Sequence, residues 1–321
     1  MRWLAALLLA LLLIAPGCKK EEPQNGKLQV VTTLFPLYDF AKRIGGDKAQ
    51  VSLLLPPGVE PHSFEPRPED IVRVNRAALF IYTNPLMEPW AAGIVAGVDQ
   101  GKVRIVEGGK GIQLLPAPGE AGHEEDGHKE DGHKEDGHDA AHEHEHGAMD
   151  PHVWLDLDNA RLIAGNILAA MVARDPANKG YYEQNAAGLV KDLAALDQRF
   201  RETLAACPKK VFLHGGHYAF GYLARHYGLK YVSASAVNAD AEPTPTRLVE
   251  LVQLMRRERL SYVYTEELLS PRVAETIARE TGAKVLMLRA GHNVTRDELE
   301  RGVTFIALME ENLKNLRTGL Q

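Results

Sequence analysis

The sequence predicts an α/β protein with two lobes, each built around a parallel sheet. Both halves of the 321-residue chain alternate short apolar strands with helical stretches, which is the pattern of parallel sheets. With 45% hydrophobic and 25% charged residues, the chain is long enough for two cores of ordinary domain size. A stretch of helical spacing at 159–206 separates the two alternating halves.

The N-terminus has the features of an export signal. Arg2 precedes an unbroken apolar run at 4–14, and small residues then lead to Cys18. The run is too short to cross a bilayer as a helix, so a permanent transmembrane anchor is the weaker interpretation. Residues 1–17 resemble a lipoprotein signal peptide, with Cys18 as the lipidated N-terminus. We therefore expect a polar tether at 18–27 and a membrane-anchored, extracytoplasmic lipoprotein of the periplasm.

The first lobe is predicted to cover residues 28–158. Apolar, β-branched runs indicate strands, and glycine or proline pairs mark where elements end. In chain order the predicted elements are a strand at 28–33, a helix at 38–44, a strand at 51–55, a helix at 68–78, and strands at 79–83 and 103–106.

A biased insert at 116–149 interrupts this lobe. The phrase Glu-Asp-Gly-His-Lys repeats every five residues from Glu125, and residues 120–147 hold eleven acidic side chains against two lysines. Too little apolar surface is present to offset the entropy of ordering, so we predict a disordered loop. The tract at 142–146 also satisfies the H-E-x-x-H pattern of zinc proteases. Without an apolar helix face, a chance match is the better explanation.

The linking helices are predicted at 159–206, and the second lobe at 207–321. The break at Asp175-Pro176 divides the linking stretch into two helices, of which the second is long. The predicted elements of the second lobe are strands at 210–213, 230–233, 262–265 and 284–288, alternating with helices at 218–227, 245–258 and 271–281 and a final helix through Asn315.

Several histidines outside the insert directly follow predicted strands. His62 follows the strand at 51–55 by a short loop, and His214 and His217 come directly after the strand at 210–213. In open α/β sheets, ligands bind beyond the carboxyl ends of the strands. His226 lies near the end of a predicted helix, where a cation favours the dipole, so we predict a capping role for it.

Two tripeptides share one pattern, Glu60-Pro61-His62 and Asp150-Pro151-His152. Proline restricts the backbone on both sides of itself, so each histidine is expected on a stiff loop. Stiffness suits zinc, which binds imidazole at about 2.0–2.1 Å in tetrahedral geometry. Two unrelated loop histidines beside turn prolines remain an equally good explanation of this pattern alone.

The sequence resembles the solute-binding proteins of zinc and manganese ABC transporters, the ZnuA/TroA-like family, from residue 30 to residue 316. The matching stretches are TTLFPLY at 32–38, GVEPHSFEP at 58–66, DPHVWLD at 150–156, HYAFGYL at 217–223, TE at 265–266 and SPRVAET at 270–276. The resemblance implies the fold of the cluster A-I binding proteins. In that fold, two α/β lobes are joined by a long rigid helix, here near 181–206, and the metal lies between the lobes.

The resemblance also implies the metal ligands His62, His152 and His217. His217 is preferred to His214 because Ala-Phe-Gly-Tyr follows it. The family's second-lobe glutamate falls on Glu266, although its neighbour Glu267 leaves the register open. Many members add an aspartate after the last strand, but residues 288–292 read LRAGH and contain no acid. The candidates for the fourth position are, in order of preference, Glu266, a water, Glu60 and His292.

By this resemblance the protein binds zinc with high affinity and delivers it to an ABC permease with its ATPase, as a monomer and not as an enzyme. Manganese is the less favoured metal, because imidazole suits zinc whereas manganese prefers oxygen ligands. A zinc hydrolase, a metal buffer and an adhesin are the alternatives. Nucleic acid is not an expected partner, since no large basic cluster is present. The insert histidines are expected to collect zinc loosely: His123, His128, His133, His138, His142, His144 and His146.

Overall fold

Two parallel sheets, each of four strands, form the frame of the protein. The computed structural model describes residues 26–117, 149–237 and 243–321. The predicted α/β class with two parallel sheets is confirmed. The predicted signal peptide, Cys18 and most of the tether lie outside the described residues, as do the seven insert histidines.

The N-terminal sheet has the strand order β2-β1-β3-β4. Its strands are β1 (Leu28–Thr32), β2 (Ala49–Leu53), β3 (Leu79–Tyr82) and β4 (Arg104–Glu107), and its helices are α1 (Phe35–Gly45), α2 (Pro68–Asn75) and α3 (Ala91–Gly97). Val30 pairs with Val51 on one side and with Leu79 on the other. Helix α1 begins three residues earlier than predicted, because Pro36 suits the first turn of a helix.

The ends of the insert carry a short antiparallel pair. Strand β5 (Leu115–Pro116) pairs with β6 (Met149–Asp150). Pro116 and Met149 pair with each other in these strands, so the predicted loop at 116–149 includes one strand residue too many at each end. Strand β6 leads directly into the Asp150-Pro151-His152 tripeptide.

Two linking helices follow, α4 (Leu157–Arg174) and α5 (Lys179–Ala205). Asp156 caps α4 by accepting hydrogen bonds from the backbone N–H groups of Asp158 and Asn159. The predicted break at Asp175-Pro176 is confirmed by a 3₁₀ turn at Pro176–Asn178. Helix α5 has 27 residues, so at about 1.5 Å per residue it is roughly 40 Å long.

The C-terminal sheet has the strand order β10-β9-β7-β8. Its strands are β7 (Val211–His214), β8 (Lys230–Ser233), β9 (Tyr262–Thr265) and β10 (Lys284–Met287), and its helices are α6 (Gly221–His226), α7 (Pro245–Arg257), α8 (Arg272–Thr281), α9 (Arg296–Glu300) and α10 (Phe305–Leu320). All three neighbouring pairs in this sheet, β10–β9, β9–β7 and β7–β8, are parallel. Their carboxyl ends therefore meet at one edge of the sheet.

The two lobes share one large core, and each lobe also has a smaller apolar cluster of its own. The largest cluster of buried apolar side chains runs from Val30 in β1, through both linking helices, to Leu320 in α10. Phe40 of α1 meets Phe305 of α10 edge to face, with ring centroids 5.2 Å apart. The backbone N–H of Phe305 donates to Asp39 Oδ2 at 3.0 Å. The lobes are thus joined by direct packing as well as by the linking helices. Across the described ranges, every helix is too short or too polar to cross a membrane.

Candidate metal centre

Three histidines converge where the two lobes meet. Nε2 of His152 lies 3.2 Å from Nε2 of His62 and 3.2 Å from Nε2 of His217. Around a tetrahedral zinc ion with imidazole bonds of about 2.0–2.1 Å, ligand nitrogens are about 3.3 Å apart. The observed separations are close to that value. The ligand atoms of the three histidines all lie within 4.8 Å of one another, close enough together to hold one metal ion.

Each histidine comes from a different segment. His62 lies on the loop after β2, His152 follows β6, and His217 follows β7. His152 and His217 are fully buried, while His62 is partly exposed. The loop after β2 therefore forms the solvent-facing side of the cluster.

Burial keeps two of the three rings neutral. Desolvation lowers the pKa of His62 to about 3, and that of His152 well below its usual range, with the nearby His217 adding to both effects. Burial also lowers the pKa of His217, but the charge and hydrogen bond of Glu266 outweigh it, so that pKa is raised. Neutral imidazoles present the lone pairs that a metal ion requires.

Two buried carboxylates orient the rings from behind. Nδ1 of His217 lies 2.9 Å from Oε1 and 2.8 Å from Oε2 of Glu266, and Nδ1 of His152 lies 2.8 Å from Oδ1 of Asp150. A carboxylate at Nδ1 holds the proton there and directs Nε2 toward the cluster. The role of Asp150 was missed by sequence reasoning, although its place in the tripeptide was a usable signal.

Glycine is required beside each carboxylate. A Cβ on Gly216 would lie 1.9 Å from Oε1 of Glu266, and one on Gly221 would lie 2.5 Å from Oδ2 of Asp150. Any side chain at either position would displace the carboxylate from its histidine. Gly216, directly before the HYAFGYL motif, and Gly221 within it thus have a steric reason.

A fourth histidine stands at the edge of the cluster. His292 is fully buried, and neither of its ring nitrogens has a hydrogen-bond partner among the described residues. Its ring centroid lies 5.9 Å from that of His217 and 6.2 Å from that of His152, and its Nε2 is 4.0 Å from Glu60 Oε2. Burial lowers the pKa of His292 to about 3, so its ring is neutral and keeps a nitrogen lone pair for a metal ion. Buried polar nitrogens without partners are uncommon and indicate a missing partner.

Two other carboxylates beside the cluster, Glu60 and Glu267, accept hydrogen bonds from backbone N–H groups. Glu60 Oε1 accepts the backbone N–H of His62 at 3.1 Å. Glu267 accepts the backbone N–H groups of Ala290 and Gly291 at 3.0 and 2.6 Å, so it holds the loop that carries His292. Burial raises its pKa to about 7. The neighbours Glu266 and Glu267 are thereby distinguished, because only Glu266 reaches His217.

Two other candidate histidines lie outside the cluster. His214 is buried, and its Nδ1 accepts the backbone N–H of Gly216 at 3.2 Å. His226 is the last residue of α6 and lies in its last turn, where its predicted capping role places it. Its ring lies between two carboxylates of the linking region, with Nδ1 3.0 Å from Asp156 Oδ2 and Nε2 2.9 Å from Asp197 Oδ1. These carboxylates hold the ring of His226 at the C-terminal end of the helix.

Comparisons with known proteins identify a zinc-uptake family. Residues 30–319 match the ZnuA family, described as "Zinc-uptake complex component A periplasmic". The chain is 40% identical to the high-affinity zinc uptake system protein ZnuA of Bacillus subtilis, over 93% of this chain and 89% of that protein. It is 37% identical to the zinc-binding lipoprotein AdcA of Streptococcus pneumoniae, over 98% of this chain.

The chain spans only 60% of the length of that pneumococcal relative. Among solved structures, the Zn(II)-bound ZnuA-like domain of S. pneumoniae AdcA superposes with a TM-score of 0.74 at 33% identity, covering 92% of this chain and 99% of that one. The match of the family profile to nearly the whole described chain, with these two relatives, leads to one conclusion: the chain belongs to the ZnuA family of zinc-uptake components.

Proposed function

We propose that this protein binds zinc with high affinity outside the cytoplasm and delivers it to an ABC permease with its ATPase. The observation that carries the proposal is the convergence of three Nε2 atoms, 3.2 Å apart in two pairs, with a carboxylate behind two of the rings. The relatives are named for zinc uptake and zinc binding. Imidazole donors favour zinc over manganese.

The proposed ligands are His62, His152 and His217, with His292 as the fourth. The geometry favours His292 over Glu266, although sequence reasoning ranked them in the opposite order. Oε1 of Glu266 accepts the backbone N–H of His217 at 3.1 Å and lies 2.9 Å from its Nδ1, so only Oε2 of Glu266 has no hydrogen-bond partner in the described residues. His292 offers two nitrogens without hydrogen-bond partners in the described part of the chain. Its loop is held in place by Glu267.

A binding protein fits the site better than a hydrolase does. A hydrolytic zinc site keeps an open position for water and substrate. Here His152, His217 and His292 are each at most 1% exposed, so a substrate larger than a few atoms has no path to all of them. Enclosure suits an ion that is carried as cargo. We further propose export, lipidation of Cys18, a monomeric state and loose zinc binding by the seven histidines of the insert.

Zinc titration tests the proposal. In a protein lacking residues 120–147, chelator competition should give one tight zinc per chain. Alanine at His62, His152 or His217 should each weaken that binding by at least 100-fold, since one of a few ligands is lost. His226→Ala is the matched control, because His226 is a part-buried histidine outside the cluster. Tight binding that survives all three ligand substitutions would overturn the assignment.

Delivery is tested separately in cells. A strain lacking the chromosomal copy should lose growth under zinc chelation, and the wild-type chain should restore it. The His152→Ala chain should not restore growth despite normal export. Restoration by that variant would show that zinc supply does not need His152, and failure of the wild-type chain to restore growth would favour an adhesin or another extracytoplasmic role.

A further inference from the structure

The two tripeptides that carry His62 and His152 are held by the same kind of contact. The indole Nε1–H of Trp90 donates to the carbonyl of Pro61 at 2.8 Å. The amide Nδ2 of Asn84 donates to the carbonyl of Pro151 at 3.2 Å. In both cases the acceptor belongs to the proline directly before the histidine. Both donors lie on one short stretch after β3, the 84–90 segment.

These contacts complete a clamp on one peptide plane in each loop. The proline carbonyl and the histidine N–H belong to the same planar peptide group. The N–H of His62 donates to Glu60 Oε1 at 3.1 Å, and the N–H of His152 donates to Asp150 Oδ1 at 3.0 Å. Each plane is therefore bonded at both of its edges. The orientation of this peptide plane sets the position of the histidine Cα. Holding the plane in place therefore holds the imidazole ring in its direction toward the cluster.

The 84–90 segment is itself firmly anchored. The carboxylate of Glu88 is buried, accepts the hydroxyl of Thr33, and accepts the backbone N–H groups of Thr83 and Asn84 at 3.0 and 3.1 Å. Thr33 and Thr83 follow the ends of the neighbouring strands β1 and β3. The segment is thus tied to the carboxyl edge of the N-terminal sheet.

The donors on the segment have fixed directions. Oδ1 of Asn84 accepts the N–H groups of Leu86 and Met87 at 3.0 and 2.9 Å, which leaves Nδ2 facing Pro151. The ring of Trp90 packs edge to face on Phe64, with centroids 4.9 Å apart. The side chains of Asn84 and Trp90 are therefore already ordered before a metal ion binds.

We propose that Trp90 and Asn84 are positioning residues of the metal site, acting through Pro61 on His62 and through Pro151 on His152. The inference rests on the proposed function and deepens it. One segment presets two ligands at the separation that a tetrahedral ion requires. His217 is outside this clamp, because Glu266 and the hydroxyl of Tyr231 hold its backbone instead.

Two substitutions remove the donors and keep the packing. Trp90→Phe retains a ring against Phe64 but loses the N–H. Asn84→Ser retains a short acceptor for the turn but loses the reach to Pro151. Asn75→Ala is the matched control, because Asn75 joins the end of α2 to the end of α3 through Gly97 O and Asp99 N, away from the site.

Zinc affinity by chelator competition should fall about 10- to 100-fold in each donor variant, the usual effect of removing support behind a metal ligand. The absorption of the cobalt(II)-loaded protein should shift, because the ligand angles relax. Asn75→Ala should leave both unchanged, even if its metal-free melting temperature falls by as much. A loss of affinity that merely follows the loss of stability across the three variants would overturn the proposal.

A double-substitution cycle separates the contact from Trp90 to Pro61 from the contact from Asn84 to Pro151. Trp90→Phe should have no further effect on zinc affinity in a His62→Ala background and its full effect in a His152→Ala background. Asn84→Ser should show the reverse. Equal effects in both backgrounds would sink the inference. If wild-type protein bound no zinc tightly, or His62→Ala had no effect, the proposed function itself would fail, and the two failures are thereby distinguished.

Discussion

The carboxylate of Glu266 meets Nδ1 of His217 at 2.8–2.9 Å, and both side chains are buried. The same relationship recurs between Asp150 and His152. Ion pairing with His217 holds the pKa of Glu266 at about 2 against the effect of burial. An anion behind the ring strengthens the electron donation of Nε2, so in the proposed site these carboxylates would act on a bound metal through the histidines.

Glu266→Gln should therefore weaken zinc binding by about 10- to 100-fold without abolishing it. The glutamine oxygen still accepts the Nδ1 proton, but the negative charge is gone. The measurement is zinc affinity by chelator competition, with the exposed Glu250→Gln as control. A much larger loss, together with a changed ligand count in the X-ray absorption spectrum of the bound zinc, would instead make Glu266 a direct ligand.

His292 should control the choice of metal. His292→Asp replaces a nitrogen donor by oxygen, which manganese prefers, so the ratio of zinc to manganese affinity should fall. His292→Ala should weaken zinc about 10-fold or more and leave room for water in the fourth position. Affinities for both metals, measured in the two variants and the wild type, check this. Unchanged zinc affinity in His292→Ala would place His292 outside the ligand set.

Deleting residues 120–147 should remove weak, multiple zinc-binding events and leave the tight one nearly unchanged. The seven histidines and eleven acidic residues of this stretch attract cations, but binding there has to order the chain. Calorimetric titration of the intact and shortened proteins gives the two stoichiometries. If the tight event disappeared with the deletion, insert histidines would belong to the primary site.

Asp39→Asn should stabilise the zinc-free protein above about pH 6. Burial raises the pKa of Asp39 from 3.8 to about 6, even though the Phe305 N–H opposes the shift. A raised pKa means that the folded state favours the protonated acid. The contribution is fully present below pH 3.8 and is lost as pH rises through about 6.

Asparagine keeps the acceptor for Phe305 and carries no charge. The gain in unfolding free energy at pH 8 should be about 1–3 kcal/mol, with little gain at pH 4. Urea unfolding at the two pH values measures it, with the exposed Asp47→Asn as control. An equal effect at both pH values would contradict the electrostatic explanation.

The sequence was sufficient for most of the fold, because strand and helix periods are local. The strands at 230–233 and 262–265 were predicted to the residue. Helices α3 and α9 were missed, since at 7 and 5 residues neither completes enough turns to show a period. Short elements of this kind are fixed by packing and not by pattern.

The site was less accessible to sequence reasoning. His62, His152 and His217 were predicted because motifs mark them, and the structure brings their Nε2 atoms together, although their role as ligands stays a prediction. His292 was ranked last because the sequence does not show that its ring nitrogens have no partners. Trp90 was missed because its contact joins a side chain to a backbone carbonyl 29 residues away, which leaves no pattern in the sequence.

The core shared by the two lobes also bears on how the protein unfolds. Because the largest apolar cluster runs from Val30 to Leu320, we expect the two lobes to unfold together, and calorimetry should record one transition and not two. A zinc ion held by both lobes then shifts that whole transition. At 1,000 times its dissociation constant, zinc adds about 4 kcal/mol to the free energy of unfolding. Zinc binding should therefore also raise the resistance of the protein to proteolysis. We expect this protein to have a shorter lifetime in zinc-starved cells than in zinc-fed cells.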